Sequence, residues 1–408
     1  MTFSRATVAG AGLAGLATAV ALTKAGIHVR LADGAARAGG RCRSYHDPQL
    51  GLTIDNGNHL VLSGNAAVAR FRETVGAPPL VGPEHAAFAF ADLANGERWT
   101  VRINDGALPW WIASPTRRVP GTQVRDYLPL ARLLRPRDGA IGARHGRVWE
   151  RLIEPVLLAA LNTEVATASH RLAAGVLRET VAKGGRAMRP LVASPSLAEA
   201  FVDPAVRWLA TRGTTLETGR RLRALTFDET RVTAADWGAG VEPVAADEAV
   251  VLALPAWVAA TLVPGLTVPD EHRAIVNAHF AYAPPPGAPA MLGLLGATAE
   301  WVFAFPDRVS ITVSAADRLI DRDREELARL FWGEVSVALG IDAPLPRWQI
   351  VKEKRATFAA TPDQDAKRPP ARTRWRNLFL AGDWTQTGLP ATIEGAIRSG
   401  ETAAGLMG

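Results

Sequence analysis

The apolar pattern changes character twice near the start of the chain. Residues 6–9 form a short apolar run that stops at Gly10, the length of a buried strand. From there the apolar side chains fall at Leu13, Leu16, Ala17, Val20 and Ala21, which is helical spacing. Gly26 stands where such a helix ends, and glycine takes the left-handed turn there without a Cβ penalty. Residues 28–32 read as a second strand. The stretch from Ala6 to Leu22 is apolar enough to imitate a signal peptide. It holds three spaced glycines and runs without a cleavage-like site into Lys24, so the pattern predicts strand–turn–helix.

The pattern continues less regularly. Leu52, Thr53 and Ile54 make a short strand before Asp55. Residues 61–190 are mixed and rich in Pro and Arg, with helical spacing over 148–161 and 172–181. A helix over 196–211 leads into strands over 214–217 and 222–227. Residues 250–254 form a buried strand ending at Pro255. The stretch 265–349 is mixed again, with strands near 301–305 and 310–314 and a helix over 322–339. Residues 377–381 are a buried strand and 390–406 a last helix. This alternation predicts an α/β fold with two interleaved domains. The first, a Rossmann-like dinucleotide-binding domain, is discontinuous over residues 1–60, 192–262 and 350–408. The second, a mixed α+β substrate domain, takes 61–191 and 263–349.

At 408 residues the chain has room for about two domains. Its net charge of +6 comes mainly from arginine, which suits an anionic partner such as a cofactor phosphate or an anionic membrane surface. The arginines are scattered and no nucleic-acid motif accompanies them, so a nucleic-acid partner is not expected. Cys42 is the only cysteine, which excludes an intramolecular disulfide and argues against a cysteine-based metal site. The eight histidines show no ligand spacing, so no metal is expected. A reducing cytoplasm fits best, with contact at the inner face of the cytoplasmic membrane as an extension of that reading.

Gly10, Gly12 and Gly15 carry the G-x-G-x-x-G spacing between the predicted strand and helix. Gly10 permits the tight turn, Gly12 lets a pyrophosphate approach the backbone, and Gly15 lets helix and strand pack closely. Leu13, Ala14 and Gly15 then open the helix, whose free N–H groups and positive dipole end face the phosphates. Asp33 lies 18 residues beyond Gly15, at the end of the second strand, where a carboxylate accepts ribose hydroxyls. Gly39, Gly40 and Arg41 follow. The glycines allow a compact loop, and Arg41 can pair with a phosphate. The plainer alternatives are a glycine-rich turn and an exposed loop arginine. Cys42 reads as a small buried residue, not a redox thiol.

Near the other end, a buried strand finishes in Gly382 and Asp383, and ligands gather at the carboxyl ends of parallel strands. Pro390 reads as part of the first turn of the last helix. The helix start at Thr392 and Ile393 would favour negative charge nearby. The Gly-Gly-Arg after the ribose acid and the terminal Gly-Asp resemble FAD enzymes of the amine oxidase and carotenoid desaturase superfamily. NAD-binding Rossmann domains lack that extension. The resemblance implies FAD as cofactor, Gly382 and Asp383 at its ribityl chain, and Asn56, Gly57 and Leu222 among its further contacts.

Four stretches narrow the resemblance. They are Asp55 to Leu60, Glu154-Pro155 with Ala159 to Thr163, Glu353 to Phe358, and Gly382 to Thr385 continuing through Gly388 to Gly395. Together they look like the hydroxysqualene dehydroxylases, also called squalene-associated FAD-dependent desaturases, of bacterial hopanoid synthesis. One departure is Asn58, where the family pattern has Gln; the amide remains but is shorter. The resemblance implies that hydroxysqualene and reduced FAD give squalene and water. An allylic carbon supports this, because loss of the hydroxyl leaves a delocalised cation that can accept hydride. Such a site needs an acid, a dry slot and aromatic faces.

His59 can protonate or hydrogen-bond the hydroxyl, or simply hold its loop. Asp55 and Asn58 are the other catalytic candidates, with a loop-fixing role as the alternative for Asp55. Glu394 can complement the dipole of the last helix. Trp384 and Phe358 are expected to line the substrate slot, with core packing as the alternative. Trp110 and Trp111 with Arg117 and Arg118 suit a bilayer interface, or else a tunnel or core. Reducing equivalents must come from an external donor or reductase, because Gly293 to Gly296 is the nearest approach to a second fingerprint and lacks its spacing and acid. Other readings remain open: a carotenoid- or squalene-type desaturase running oxidatively, a prenyl-lipid-binding protein without redox work, and an amine oxidase. The last would want an acidic or aromatic-caged amine pocket.

Overall fold

The computed structural model describes residues 3–407. Its first sheet has five parallel strands in the order Leu378–Leu380, Glu248–Leu252, Arg5–Ala9, His28–Ala32 and Leu216–Glu217. Strands buried on both faces read as near-continuous apolar runs, which is why Ala6 to Ala9 and Ala249 to Leu252 were legible. The helices Leu13–Lys24 and Ile393–Gly405 cover one face together, with Phe3, Val8, Leu16, Phe201 and Phe379 in the core between. They approach closely at Gly400, where a Cβ would lie 2.3 Å from the Ala14 carbonyl oxygen. An antiparallel meander, Ala224–Phe227, Val232–Asp236 and Val241–Pro243, lies beyond the other face, over Leu222, Trp237, Val250, Leu252 and Trp375.

The second sheet has seven strands, in the order Trp348–Phe358, His272–Phe280, Val309–Val313, Trp301–Ala304, Met291–Leu295, Ala87–Asp92 and Arg98–Arg102. Only the pair Met291–Leu295 and Ala87–Asp92 is parallel. Helix Arg324–Leu339 packs on one face against Val276, Ala278, Phe280 and Ile311. Alternation along the strands turns Asn277, His279, Ser310 and Thr312 to the other face. There Phe90, Trp301 and Phe303 build a separate aromatic core.

Four expectations shift. Residues 350–358, grouped by sequence with the dinucleotide lobe, pair in the seven-stranded sheet. The last helix starts at Ile393 with Thr392 as its cap, so Pro390 stands outside it. The strand expected from Leu222 begins at Ala224, and Leu222 is a core side chain before it. The helices over 148–161 and 196–211 each begin with a wide π turn, Trp149–Ile153 and Ala198–Val202. Each π turn directly precedes an acid–proline pair, Glu154-Pro155 and Asp203-Pro204. Proline lacks the N–H and crowds the carbonyl one turn back, and the wider turn relieves both.

Candidate cofactor cleft and active site

The fingerprint turn has the shape its glycines require. Gly10 has φ +104, and a Cβ there would lie 2.3 Å from the Ala253 carbonyl oxygen. A Cβ on Gly15 would lie 1.8 Å from the Gly10 carbonyl oxygen. Above Gly12, by contrast, there is open space with no atom within 4 Å. Gly12 is the cap of helix Leu13–Lys24 and offers no side chain to its first N–H groups. Asp33 braces this turn, accepting from Ala11 N–H at 2.6 Å and Ala35 N–H at 2.7 Å. The Gly39–Gly40 loop lies against it: Gly39 N–H donates to the Ala11 carbonyl at 2.8 Å, and Gly40 faces Gly12.

Arg41 closes the cleft from the side. Its guanidinium donates to Asp383 Oδ2 and to the Ala356 carbonyl, both at 2.7 Å. Desolvation works against the Arg41 charge, yet Asp383 outweighs it and holds the pKa above the ordinary value. The side chain keeps 43% of its surface accessible, as befits the wall of a cleft. So the two ends of the chain meet as expected, but through each other: Arg41 is paired with Asp383. Around Asp383 the loop is set by Arg368, which the sequence reading missed. Buried Arg368 donates to the carbonyls of Asp383 (3.0 Å) and Thr385, and to Thr387 Oγ1 at 2.8 Å. Gly382 has φ +154 and lies against the Trp384 indole, which donates to the Leu254 carbonyl at 2.9 Å.

The turn after Asp55 is tied to the seven-stranded sheet. Asp55 is buried and accepts from Ser44 Oγ at 2.5 Å and Leu197 N–H at 2.9 Å. Burial raises its pKa in spite of those bonds. Asn56 donates to Glu353 at 3.2 Å. Asn58 donates to the Ile311 carbonyl at 3.2 Å and Thr312 Oγ1 at 3.1 Å, while its buried Oδ1 has no partner. Thr312 donates to Asn277 Oδ1 at 2.8 Å, and Asn277 donates back to the Asn56 carbonyl at 3.4 Å. A Cβ on Gly57 would lie 3.0 Å from the same Asn277 amide. No sequence signal singled out Asn277, because strand His272–Phe280 also carries His272, Arg273 and His279. Half-buried His59 makes no side-chain hydrogen bond among the described residues. Desolvation, reinforced by Arg41, pushes its pKa down to about 4.

The remaining candidates fall into definite surroundings. Asp55 is a loop-fixing carboxylate, because its Oδ1 bridges two elements of the chain. His59 is neutral at neutral pH, so it offers an N–H and not an imidazolium proton. Trp384 and Phe358 are closed into the core with Leu222 and Trp375; Phe358 also lies under the Arg368 guanidinium. Thr392 caps its helix by accepting from Gly395 N–H at 3.0 Å, and Ile393 is buried. Glu394 serves a different helix, accepting from Ala67 and Val68 N–H at 3.1 and 3.0 Å at the start of Ala66–Thr74. Among the described residues no cluster could hold a metal ion, and no helix is long and apolar enough to cross a membrane.

The sequence model of the flavin containing amine oxidoreductases matches residues 13–407. The chain is 52% identical over 406 residues to hydroxysqualene dehydroxylase of Rhodopseudomonas palustris, covering 98% of this chain and 97% of that one. It is 48% identical to the enzyme of the same name from Sinorhizobium fredii, with coverage of 98% and 97%. The chain belongs to the hydroxysqualene dehydroxylases. Its fold is that of the wider flavoprotein family, as cyclohexylamine oxidase from Brevibacterium oxydans shows: TM-score 0.70 at 15% identity, over 99% of this chain and 98% of that one. As a hydroxysqualene dehydroxylase family member the chain is an FAD-dependent oxidoreductase. Its residues fit that cofactor. The open space over Gly12, the uncapped helix start and the accessible Arg41 guanidinium form a cradle suited to a pyrophosphate.

Proposed function

We propose that the protein removes the hydroxyl of hydroxysqualene reductively, giving squalene and water as a step toward hopanoids. The observation that carries this is identity over nearly the full length of both chains with relatives bearing that activity in their name. When bound and reduced, FAD supplies a hydride. The chain supplies the setting. Gly10, Gly12, Leu13, Ala14 and Gly15 would hold the pyrophosphate, Asp33 the ribose, and Gly40 and Arg41 the side of the cleft. Asp383, oriented by Arg41 and Arg368, would accept from a ribityl hydroxyl beside Gly382. Asn56, Gly57, Thr392 and Ile393 would bound the ring end of the cleft.

Within that setting the neutral His59 ring would donate a hydrogen bond to the departing hydroxyl. Asn58 would contribute the unpaired Oδ1, and the aromatic core of Phe90, Trp301 and Phe303 would keep the slot dry. A peripheral membrane contact through the segment around Trp110 would admit the lipid-soluble substrate. An external donor would reduce the cofactor. The test is anaerobic incubation of the reduced protein with hydroxysqualene, squalene and phytoene in turn, followed by product analysis. Squalene formed from hydroxysqualene alone is the expected result. Conversion of phytoene or squalene by the oxidised protein, with hydroxysqualene untouched, would replace this reading with a desaturase.

A further inference from the structure

The mouth of the cofactor cleft carries cations that pair with no carboxylate among the described residues. Arg355 is exposed and immediately precedes Ala356, whose carbonyl accepts from Arg41. Its guanidinium lies 4.8 Å from the Trp257 ring centroid. Trp257 in turn meets His272 at 4.9 Å, with the rings at 81°. Lys354 is exposed beside it in the chain, and Arg37 is exposed on the loop leading to Gly39. None of these three cations has a carboxylate within 4.0 Å among the described residues. Arg41 and Arg43, at the same mouth, are matched by Asp383 and Glu353. Side chains alternate along strand Trp348–Phe358, so Lys354 falls on the face of Lys352, beside Ile320 and Arg322, and the unmatched charge of the opening is that of Arg355 and Arg37.

We propose that this rim docks an acidic electron-carrier protein, with Arg355 at its centre. The inference rests on the reductive reading above, which requires a donor. Each turnover breaks one C–O bond, forms one C–H bond and uses two electrons. A one-electron carrier supplies them in two dockings, with two protons drawn from water. A nicotinamide dinucleotide fits the rim less well. Its pyrophosphate would want a second phosphate cradle, whereas the one G-x-G-x-x-G fingerprint in the sequence serves FAD. An acidic protein surface needs only complementary charge, which raises encounter rates by roughly 10–10³ and loses that gain as salt is added.

The experiment is stopped-flow reduction of the FAD-loaded protein by reduced flavodoxin, an acidic carrier, and by reduced methyl viologen, a small cation. The second-order rate with flavodoxin should fall steeply between low and high ionic strength. Arg355→Glu should lower it about tenfold or more at low salt, and Arg37→Glu should lower it as well. Methyl viologen should reduce all variants at least as fast as the parent. Flavin content, and conversion of hydroxysqualene by pre-reduced protein, should be unchanged. A salt-independent flavodoxin rate, or variants as fast as the parent, would overturn the proposal. So would loss of flavin from the variants, which would assign Arg355 to the cofactor, or rapid saturable reduction by NADPH that the variants abolish. Failure of the pre-reduced parent to convert hydroxysqualene would count against the reductive reading alone, because the docking is read from flavin reduction.

Discussion

At the scale of single residues, the site combines groups whose type was legible with pairings that were not. Asp33 and Asp383 could be picked out from their spacing and from the strands they end. Nothing in the sequence pairs Arg41 with Asp383 across the chain, or brings Arg368 under the last loop, because such contacts depend on tertiary folding. Asp33→Ala and Asp383→Ala should each weaken FAD retention, by roughly 1.5–3 kcal/mol for one charge-assisted hydrogen bond. Flavin absorbance per protein after gel filtration measures this, and full occupancy in both variants would refute the placement. Asp383→Ala and Arg41→Ala should be non-additive, since they share one pair. His59 makes a pH prediction. Its folded pKa of about 4 lies below the ordinary 6.5, so the unfolded chain binds more protons between those values. Stability should therefore fall as pH drops from 6.5 toward 4. His59→Gln should flatten that part of the urea-midpoint profile, and an unchanged slope would show a well-hydrated ring.

At the scale of elements, periodicity located strands and helices well and their ends poorly. His28–Ala32 matched its expected span residue for residue, because Gly26 before it and Gly34 after it leave no competing element. The last helix did not. Proline favours a first turn in general, but Thr392 captures the Gly395 N–H and starts the helix later. Once the helix starts there, Glu394 points at the neighbouring helix Ala66–Thr74 and caps it, with Arg398 at 3.0 Å as a counter-charge. Glu394→Ala should leave two buried N–H groups and Arg398 without this acceptor. It should destabilise the protein by about 1–3 kcal/mol in chemical denaturation. Glu394→Gln should recover part of the loss, because it keeps one acceptor oxygen. No change in either variant would mean that the contact is replaced by water. Glu300, just before strand Trp301–Ala304, acts in the opposite pH sense to His59. Burial, against the Ser314 N–H bond, pushes its pKa up to about 7 from 4.5. Stability from this group is present below about 4.5 and is lost as pH rises toward 7. Glu300→Gln should remove that loss, read over the window from 4.5 to about 7, where it opposes the His59 effect.

At the scale of the whole molecule, the sequence yielded one sheet and hid the other. The five-stranded sheet announces itself through strand–turn–helix units. The seven-stranded sheet pairs Ala89 with Leu292 and Ile275 with Glu353, and no local pattern encodes partners so far apart. The same limit applies to the paired tryptophans, which the fold separates. Trp111 is 6% exposed and stacks edge-on with Tyr127 at 5.3 Å. Trp110 is 56% exposed with Arg117 over its ring at 4.8 Å, and Leu108 and Leu128 are exposed at 81% and 65%. Interfacial binding favours such a mixture of apolar and cationic side chains, so a membrane test must avoid Trp111. Trp110→Ser with Leu128→Ser should lower co-sedimentation with phosphatidylglycerol liposomes. Each large apolar side chain is worth roughly 1.5–3 kcal/mol when fully buried, and even half of that for both residues is about a tenfold change in partitioning. Flavin content and turnover of detergent-dispersed substrate should stay as in the parent. Trp111→Ser should instead lower the melting temperature, because it opens a cavity against Tyr127. If the double variant sediments like the parent, these side chains do not reach lipid, and the substrate must enter elsewhere.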